Sequence, residues 1–309
     1  MEIKKVSLIG AGAMGMFFAP RLYRTLGAGF RLIADGARKE RLETRGLRVN
    51  GESWHFQVCT PAENDPADLI IISVKDTGLS QALLDIRGQV GENTIILPVL
   101  NGISAEEKAA AVYGWEHLLY GYMRISIVMK DGVCDFNPDG GAVYFGEKEN
   151  PSEGRCSERV EAVKALFNRC GIPYKNPADM LQGKWFKFMA NIGENMTCAL
   201  LGVPFGAFRV SDHANFIRRA AMQEVIAIAQ KKGIALGQEQ LDIQEAVVVK
   251  IPAENKPSTL QDLEAGRKTE IEMFSGTVVR MGKELGIPTP VNEILYHGIC
   301  GIEERLGIK

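Results

Sequence analysis

The sequence of 309 residues has few of the residues that build metal and disulfide sites. Its four histidines lie far apart, and its six cysteines are scattered without a C-x-x-C pair. No group of them has the spacing of a zinc site, so we expect no bound metal. Unpaired thiols persist in a reducing compartment, which favours a cytoplasmic protein.

The chain also lacks long runs of apolar residues and long runs of basic residues. No segment reaches the ~20 apolar residues that a membrane-spanning helix needs, and glycines interrupt the apolar stretch after Lys5, unlike the core of a signal peptide. The formal net charge is only −2 and no basic run is present, so nothing favours binding to nucleic acid or to a membrane. The length exceeds one ordinary hydrophobic core and predicts two domains.

The first half alternates short apolar runs with helical patterns, which is typical of βαβ units around a mainly parallel sheet. The predicted strands are Val6–Gly10, Phe30–Asp35, Asp68–Lys75 and Asn93–Asn101. The predicted helices are Met14–Leu26, ending at Gly27, and Glu158–Arg169. We expect the β segments between Leu118 and Gly146 to extend the same sheet, and a short strand at Ile172–Tyr174 to complete the domain.

Beyond Pro177 the strand signal disappears and helical periodicity takes over. The long amphipathic stretches are Met180–Leu201, Asp212–Lys232 (capped by Ser211) and Thr269–Leu285. The predicted fold class is therefore α/β, with an N-terminal Rossmann-type, mainly parallel sheet followed by an all-helical C-terminal domain. We expect the sheet domain to span residues 1–176 and the helical domain residues 177–309.

A glycine-rich turn directly follows the first predicted strand and opens a helix. The candidate cofactor-binding residues of this turn are Gly10, Ala11, Gly12, Ala13, Met14 and Gly15. In a G-x-G-x-x-G turn the first glycine permits a tight bend and the second lets a pyrophosphate approach the backbone, while the third allows close packing of helix on strand. The helix N-terminus then receives the phosphates.

The end of the second predicted strand bears on the choice between NAD and NADP. Asp35 lies 20 residues after Gly15, where a carboxylate would accept hydrogen bonds from ribose hydroxyls and repel a 2′-phosphate. Arg38 and Lys39 follow at once and could bind that phosphate. The residues therefore leave both cofactors open.

Two stripes run along the predicted helix Met180–Leu201. Apolar residues at spacings of three and four, such as Trp185 and Phe188, form a core face. Lys187, Asn191 and Asn195 recur at spacings of four on a different face. A lysine on a helix is ordinarily solvated, but two asparagines beside it are unusual because Asn is a poor helix former. The spacing alone leaves a solvated face and a functional face both open.

Several motifs in the same order make the sequence similar to a known family. They are the turn Gly10–Gly15, Ser73-Val74-Lys75, Asn101-Gly102, Trp185-x-Lys187-x-x-x-Asn191-x-x-x-Asn195, Asn255-x-x-Ser258 and Arg267-x-Thr269-Glu270-Ile271. On these residues the chain resembles the 2-dehydropantoate 2-reductase (ketopantoate reductase) family over essentially its whole length. The resemblance implies NADPH-dependent reduction of the small 2-oxo acid ketopantoate to pantoate, in pantothenate and coenzyme A biosynthesis.

With the glycine-rich turn, the resemblance assigns residues 1–176 to dinucleotide binding and residues 177–309 to substrate binding and catalysis. It also implies a role for individual residues. Lys187 would be the general acid that protonates the substrate carbonyl oxygen, and Glu270 would position Lys187 and the substrate. The substrate-binding residues would be Asn101, Asn191, Asn195, Asn255 and Ser258. Lys75 and Asn101, at the carboxyl ends of their strands, would face the nicotinamide and the substrate.

Alternatives remain for some residues and for the function. Ser258 with Gln261, and Thr269 with Glu272, also fit capping boxes that only start helices. Phe205 stands where some family members carry a polar residue, which indicates a more apolar or differently shaped substrate. The chain could be a paralogous reductase of another 2-oxo or 2-hydroxy acid, or a nucleotide-binding redox regulator. The sequence leaves the oligomeric state open, with a homodimer as one option.

Overall fold

The computed structural model describes residues 2–125, 127–130 and 132–308, with residues 128 and 130 by their backbone only. The chain folds into two compact units, unit 1 from Met1 to Met180 and unit 2 from Leu181 to Lys309. The boundary predicted from the sequence, between residues 176 and 177, lies slightly earlier in the chain. Elements are labelled in chain order within the two units.

The parallel sheet predicted for unit 1 is confirmed, and it has five strands, one of which (Gln57–Cys59) was not predicted. In spatial order its strands are β5 (Gln57–Cys59), β2 (Phe30–Ile33), β1 (Val6–Ile9), β6 (Leu69–Ile72) and β7 (Ile95–Pro98). Every residue of β1, β2, β6 and β7 is buried. Largely apolar strands are needed because helices cover both faces of such a sheet, and Ser7 and Arg31 are the polar residues buried in these four strands. All five strands run the same way, so their carboxyl ends lie at one edge.

The described part of unit 1 contains five α-helices, of which the first and the third join consecutive strands of the parallel sheet. They are α1 (Ala13–Leu26), α2 (Gly36–Arg45), α3 (Leu79–Asp85), α4 (Ala105–Tyr113) and α5 (Glu158–Cys170). The predicted α1 is confirmed, and it ends at Gly27, whose φ of 52° suits a residue without a side chain. Helix α5 is confirmed as well. It begins after Ser157, whose hydroxyl accepts the Val160 N–H.

The prediction that the segments after Leu118 extend the parallel sheet is wrong. They build two separate small sheets. One contains β4 (Glu52–Trp54), β3 (Leu47–Val49), β10 (Val133–Asp135) and β9 (Val128–Lys130), and the other contains β12 (Tyr174–Lys175), β11 (Ala142–Gly146) and β8 (Tyr120–Arg124). One isolated bridge, from Ile96 to Leu118, continues along β7. Pro98 ends β7 without an N–H to donate, so the ladder does not continue there.

Unit 2 is helical, as predicted, and the part of it that the structure describes contains no β-strand. Its helices are α6 (Met180–Asn191), α7 (Thr197–Leu201), α8 (Asp212–Lys231), α9 (Gln238–Val248), α10 (Ser258–Glu264), α11 (Thr277–Leu285) and α12 (Pro290–Arg305). Two π-helical segments interrupt the predicted long helices: the first π segment (Ile192–Met196) joins α6 to α7, and the second π segment (Glu272–Gly276) precedes α11. The third predicted helix therefore begins at Glu272 rather than Thr269.

None of the helices in the described ranges is long and apolar enough to cross a membrane. All six cysteines are free thiols, and four of them are buried.

Candidate active site

The glycine turn of unit 1 has the geometry that its sequence predicts. Gly10 follows β1 with a φ of 104°, and a Cβ on it would lie 2.6 Å from the Ser73 carbonyl carbon. A Cβ on Gly15 would lie 2.1 Å from the Gly10 carbonyl oxygen. The Ser73 hydroxyl donates to that same oxygen at 2.7 Å. The first and third glycines are therefore required by close packing of α1 on the sheet.

Gly12 differs from the other two glycines because nothing in the protein crowds it. It is the N-cap of α1, with an ordinary φ of −91°, and a Cβ on it would meet no atom within 4 Å. The space beside Gly12 and the first N–H groups of a 14-residue helix fit a phosphate, which those groups can bind. This arrangement suits a dinucleotide whose pyrophosphate approaches the backbone at the second glycine.

The two kinds of glycine predict opposite effects of alanine. Gly12→Ala should leave the thermal midpoint near wild type while weakening dinucleotide binding, because the methyl group occupies only the open space. Gly15→Ala should destabilise the fold by about 1–3 kcal/mol or more, since the methyl group overlaps a backbone oxygen. Thermal unfolding and a fluorescence titration of each variant measure both effects. Equal loss of stability in both variants would contradict this division of roles.

The residues after β2 lie at the start of α2. Asp35 is its N-cap and is exposed, with a carbonyl that accepts the Lys39 N–H at 3.0 Å. Arg38 is exposed in the first turn of the same helix. The Lys39 ammonium lies 3.7 Å from Glu43, one turn further on. Within the described ranges no ion pair engages the Asp35 carboxylate, so Lys39 does not neutralise it.

Lys75 and Asn101 follow neighbouring strands of the parallel sheet. Lys75 lies three residues beyond β6 and is exposed, and Asn101 lies three residues beyond β7 and is half-buried. Gly102 has a φ of 89°, which lets the chain turn sharply after Asn101. Since β1, β6 and β7 are adjacent, the sheet brings Lys75, Asn101 and the glycine turn to one edge. Open α/β sheets bind their ligands at this edge.

In unit 2, the stripe of Lys187, Asn191 and Asn195 crosses from α6 into the first π segment. Lys187 and Asn191 are half-buried, and Asn195 is only 8% exposed. In a π-helix each backbone N–H donates to the carbonyl five residues earlier, instead of four residues earlier as in an α-helix. Such segments are frequent at functional sites. The stripe is thus partly buried at Lys187 and Asn191 and almost fully buried at Asn195.

The segment that carries Glu270 packs against this helix. Glu270 is half-buried, and its carbonyl accepts the Phe274 N–H at 3.0 Å. The rings of Phe188, on α6, and Phe274, in the second π segment, stack at 6.2 Å with 22° between their planes. The two π segments also contact each other. Unit 2 therefore brings the elements of Lys187 and Glu270 together.

Asn255 and Ser258 precede and begin α10, which packs on the first π segment and on α7. The Asn255 backbone is fixed on both sides, since its N–H donates to Pro252 and its carbonyl accepts the Phe205 N–H. Ser258 is exposed at the first position of α10.

Both capping boxes that the sequence suggested are wrong. Pro257, not Ser258, is the N-cap of α10, and the Gln261 amide donates to the Lys256 carbonyl. Thr269 donates its hydroxyl to Glu303 instead of capping a helix. Ser258 is therefore not required to start α10.

Phe205 packs with protein atoms. It joins the apolar cluster of Phe208, Cys198 and Val248, with its ring 6.4 Å from that of Phe208. Its backbone bond to Asn255 fixes the loop before α10. Phe205 thus anchors the Asn255 loop to the apolar cluster.

A buried charge network behind the first π segment was missed in the sequence. Glu194, next to Asn195, accepts a hydrogen bond from Gln244 at 2.7 Å and lies 4.0 Å from Arg218 on α8. Arg218 is 2% exposed, and burial lowers the pKa of its guanidinium while Glu194 and Glu245 oppose that change. The signal was present, because Arg218 stands in the apolar stripe of α8 between Ala214 and Ala221.

The parallel sheet and its glycine turn define unit 1 as a Rossmann-type fold, and the order of sheet unit then helical unit is that of Rossmann-fold dehydrogenases and reductases. The sequence profile of ketopantoate reductase PanE/ApbA matches residues 6–150, and that of its C-terminal part matches residues 179–303. The chain belongs to the ketopantoate reductase family.

Individual proteins agree with this assignment. The chain is 28% identical to 2-dehydropantoate 2-reductase of Aquifex aeolicus, over 95% of each chain. The structure of 2-dehydropantoate 2-reductase from Geobacter metallireducens is similar with a TM-score of 0.84 at 27% identity, covering 96% of this chain and 99% of that one. D-mandelate dehydrogenase in a ternary complex with NADH and anilino(oxo)acetate shares the fold, with a TM-score of 0.86 at 23% identity, covering 99% and 100%.

Proposed function

We propose that this chain reduces a small 2-oxo acid with a nicotinamide dinucleotide, and that ketopantoate is the substrate and pantoate the product. The observation that carries the proposal is the stripe of Lys187, Asn191 and Asn195, half-buried at its first two residues and buried at the third, on a helix that packs against the segment after Glu270. Membership of the ketopantoate reductase family supports the substrate and a place in pantothenate biosynthesis.

When bound, NADPH would supply a hydride to the carbonyl carbon of the oxo acid. Negative charge develops on the carbonyl oxygen in this reaction, so the Lys187 ammonium beside it stabilises the transition state and donates a proton to the oxygen. Glu270 would lie close to Lys187 and the substrate and position both. Asn191 and Asn195 would hydrogen-bond substrate oxygens without adding charge.

The remaining candidate residues would bind the substrate carboxylate and the cofactor. Ser258 and Asn255 would hold the carboxylate end of the oxo acid, and two backbone hydrogen bonds fix the main chain at Asn255. Lys75 and Asn101 would face the nicotinamide and the substrate from the sheet edge. The pyrophosphate would contact the open N-terminus of α1 at Gly12.

We propose NADPH rather than NADH as the cofactor. A 2′-phosphate near the start of α2 would meet both the helix N–H groups and the exposed Arg38. Asp35 opposes this choice, but it is exposed and free to turn toward solvent. Lys39 is engaged with Glu43, so Arg38 is the cation on which the choice depends.

The cofactor choice is tested by titrating the wild type and three variants with NADPH and NADH. Arg38→Ala should weaken NADPH binding by about 10- to 100-fold, the range for one charge-assisted hydrogen bond, and leave NADH unchanged. Asp35→Ala should improve NADPH binding little. Arg45→Ala, an exposed arginine in the last turn of α2, is the matched control and should change neither. A wild-type kcat/KM higher with NADH than with NADPH would mean that Asp35 binds the ribose.

The substrate is tested by steady-state rates with ketopantoate, pyruvate, 2-oxoisovalerate and phenylglyoxylate, each with both cofactors. We expect the highest kcat/KM with ketopantoate. A preference for phenylglyoxylate would identify a paralogous reductase of another 2-oxo acid. Dinucleotide binding without turnover of any of these acids would favour a redox regulator instead.

A further inference from the structure

The carboxylate of Glu303, on helix α12, lies in the interior of unit 2. The residue is 1% exposed. One carboxylate oxygen accepts both the backbone N–H of Thr269 at 2.9 Å and its hydroxyl at 2.7 Å, and the other lies 2.6 Å from the Lys268 ammonium. A carboxylate is costly to bury unless its oxygens are satisfied. Here that requirement ties α12 to the residue immediately before Glu270.

The Thr269 hydroxyl extends this attachment to the other side of Glu270. It accepts the Ile271 N–H at 3.3 Å, and the Ile271 carbonyl accepts the Gly276 N–H at 3.0 Å at the end of the second π segment. Thr269 and Ile271 are 4% and 1% exposed, whereas Glu270 between them is half-buried. The main chain is thus held on both sides of Glu270.

The charge of Glu303 strengthens these bonds. Burial opposes ionisation, but the hydrogen bonds from Lys268 and Thr269 outweigh it and lower the pKa of the Glu303 carboxyl. An ionised acceptor forms shorter and stronger hydrogen bonds than a neutral one. The Lys268 ammonium, on a side chain that is 50% exposed, pairs with the other carboxylate oxygen, whereas the Thr269 hydroxyl also bonds the chain beyond Glu270. The two bonds to Thr269 are the ones that hold the chain in place.

We infer that Glu303 and Thr269 are positioning residues, which hold Glu270 in place through the main chain of residues 269–271. The inference rests on the proposed function, in which Glu270 positions Lys187 and the substrate. A misplacement of about 1 Å in a catalytic constellation can cost about 10²-fold in rate. Loss of the Thr269 bonds should therefore lower kcat more than it raises KM, although neither Thr269 nor Glu303 touches the substrate.

The experiment is a double-mutant cycle on ketopantoate reduction by the full chain. Thr269→Val keeps the shape but removes the hydroxyl bonds, and we expect it to lower kcat by about 10- to 100-fold. Thr269→Ser keeps the hydroxyl and should stay within about threefold of wild type. Lys268→Ala, which removes the ion pair to the same carboxylate and keeps both Thr269 bonds, is the matched control and should lower kcat less than Thr269→Val. In a Glu270→Ala background, Thr269→Val should cost little further, because the residue it positions is gone.

Three results would overturn the inference, and they differ from one another. If Thr269→Val lowers kcat equally with and without Glu270, then Thr269 acts elsewhere. If Thr269→Ser loses as much as Thr269→Val, the hydroxyl is not the relevant group. If Glu270→Ala alone leaves kcat unchanged, the role that the proposed function gives to Glu270 fails as well. Should Thr269→Val not fold, Glu303→Gln replaces it in the cycle, with thermal unfolding as the measure of an intact unit 2.

Discussion

Replacing Lys187 by alanine is expected to lower kcat by about 10²–10⁴-fold, the usual range for loss of a general acid. The effect should fall on the chemical step because the proton is transferred only as charge develops on the carbonyl oxygen. NADPH binding should survive, since the glycine turn belongs to unit 1 and Lys187 to unit 2. Rapid-mixing measurements of NADPH oxidation, together with a binding titration, separate the two effects.

Two further variants test whether the loss of kcat is specific to the Lys187 ammonium and to its proton. Lys231→Ala removes an exposed lysine from the last turn of α8 and should leave kcat within about threefold of wild type. Lys187→Arg keeps the positive charge but has a much higher pKa, so it should restore electrostatic stabilisation and little proton transfer. A Lys187→Ala enzyme with kcat within about threefold of wild type would remove this residue from the mechanism.

Local sequence patterns predicted the parallel sheet because the two features that identify it, apolar strands and a glycine-rich turn, each lie within a short stretch of sequence. Apolar runs such as Leu69–Ile72 reflect burial on two faces, and the glycines of the first turn reflect backbone crowding that the structure reproduces at Gly10 and Gly15. The predicted long helices follow in the same way from the spacing of apolar residues. These features need no knowledge of a distant partner.

The small sheets were missed for a different reason, although one signal was visible. Strands β3 and β4 are joined by Asn50-Gly51, both with positive φ, at 47° and 81°. An Asn-Gly pair between two short strands is a strong local signal for a hairpin, and it would have predicted this one. The pairing of β3 with β10 is instead set by residues far along the chain, so no local pattern predicts it.

The features of the candidate site also divide into those that local sequence indicates and those that depend on residues distant in sequence. The spacing of Lys187, Asn191 and Asn195 indicated a shared face, but it could not indicate a π segment, whose hydrogen bonds are compatible with the same residues as an α-helix. The buried carboxylates of Glu194 and Glu303 were missed because each is satisfied by residues distant in sequence. A charged residue in an apolar helical stripe predicts burial, but not which partner satisfies it.

Breaking the buried pair of Glu194 and Arg218 is expected to destabilise unit 2 by about 3–5 kcal/mol. Either Glu194→Leu or Arg218→Met leaves one charge in the interior. The Arg218 Nε and Nη1 atoms already lack a hydrogen-bond partner within the described part of the chain, so the guanidinium depends on nearby carboxylates. The double variant replaces both charges by apolar groups and should recover most of the lost stability.

Urea unfolding measures these differences in unit 2 if its own fluorophore is used. Trp185 is the one tryptophan of unit 2 by sequence, so a background with Trp54→Phe and Trp115→Phe makes it the reporter. Arg219→Ala is the matched control: this neighbouring arginine is 51% exposed and also pairs with Glu245, so its loss should cost about 0–1 kcal/mol. If the double variant loses as much stability as the two single variants together, the unpaired charge is not the source of the destabilisation. Unit 2 then depends on Glu194 and on Arg218 separately.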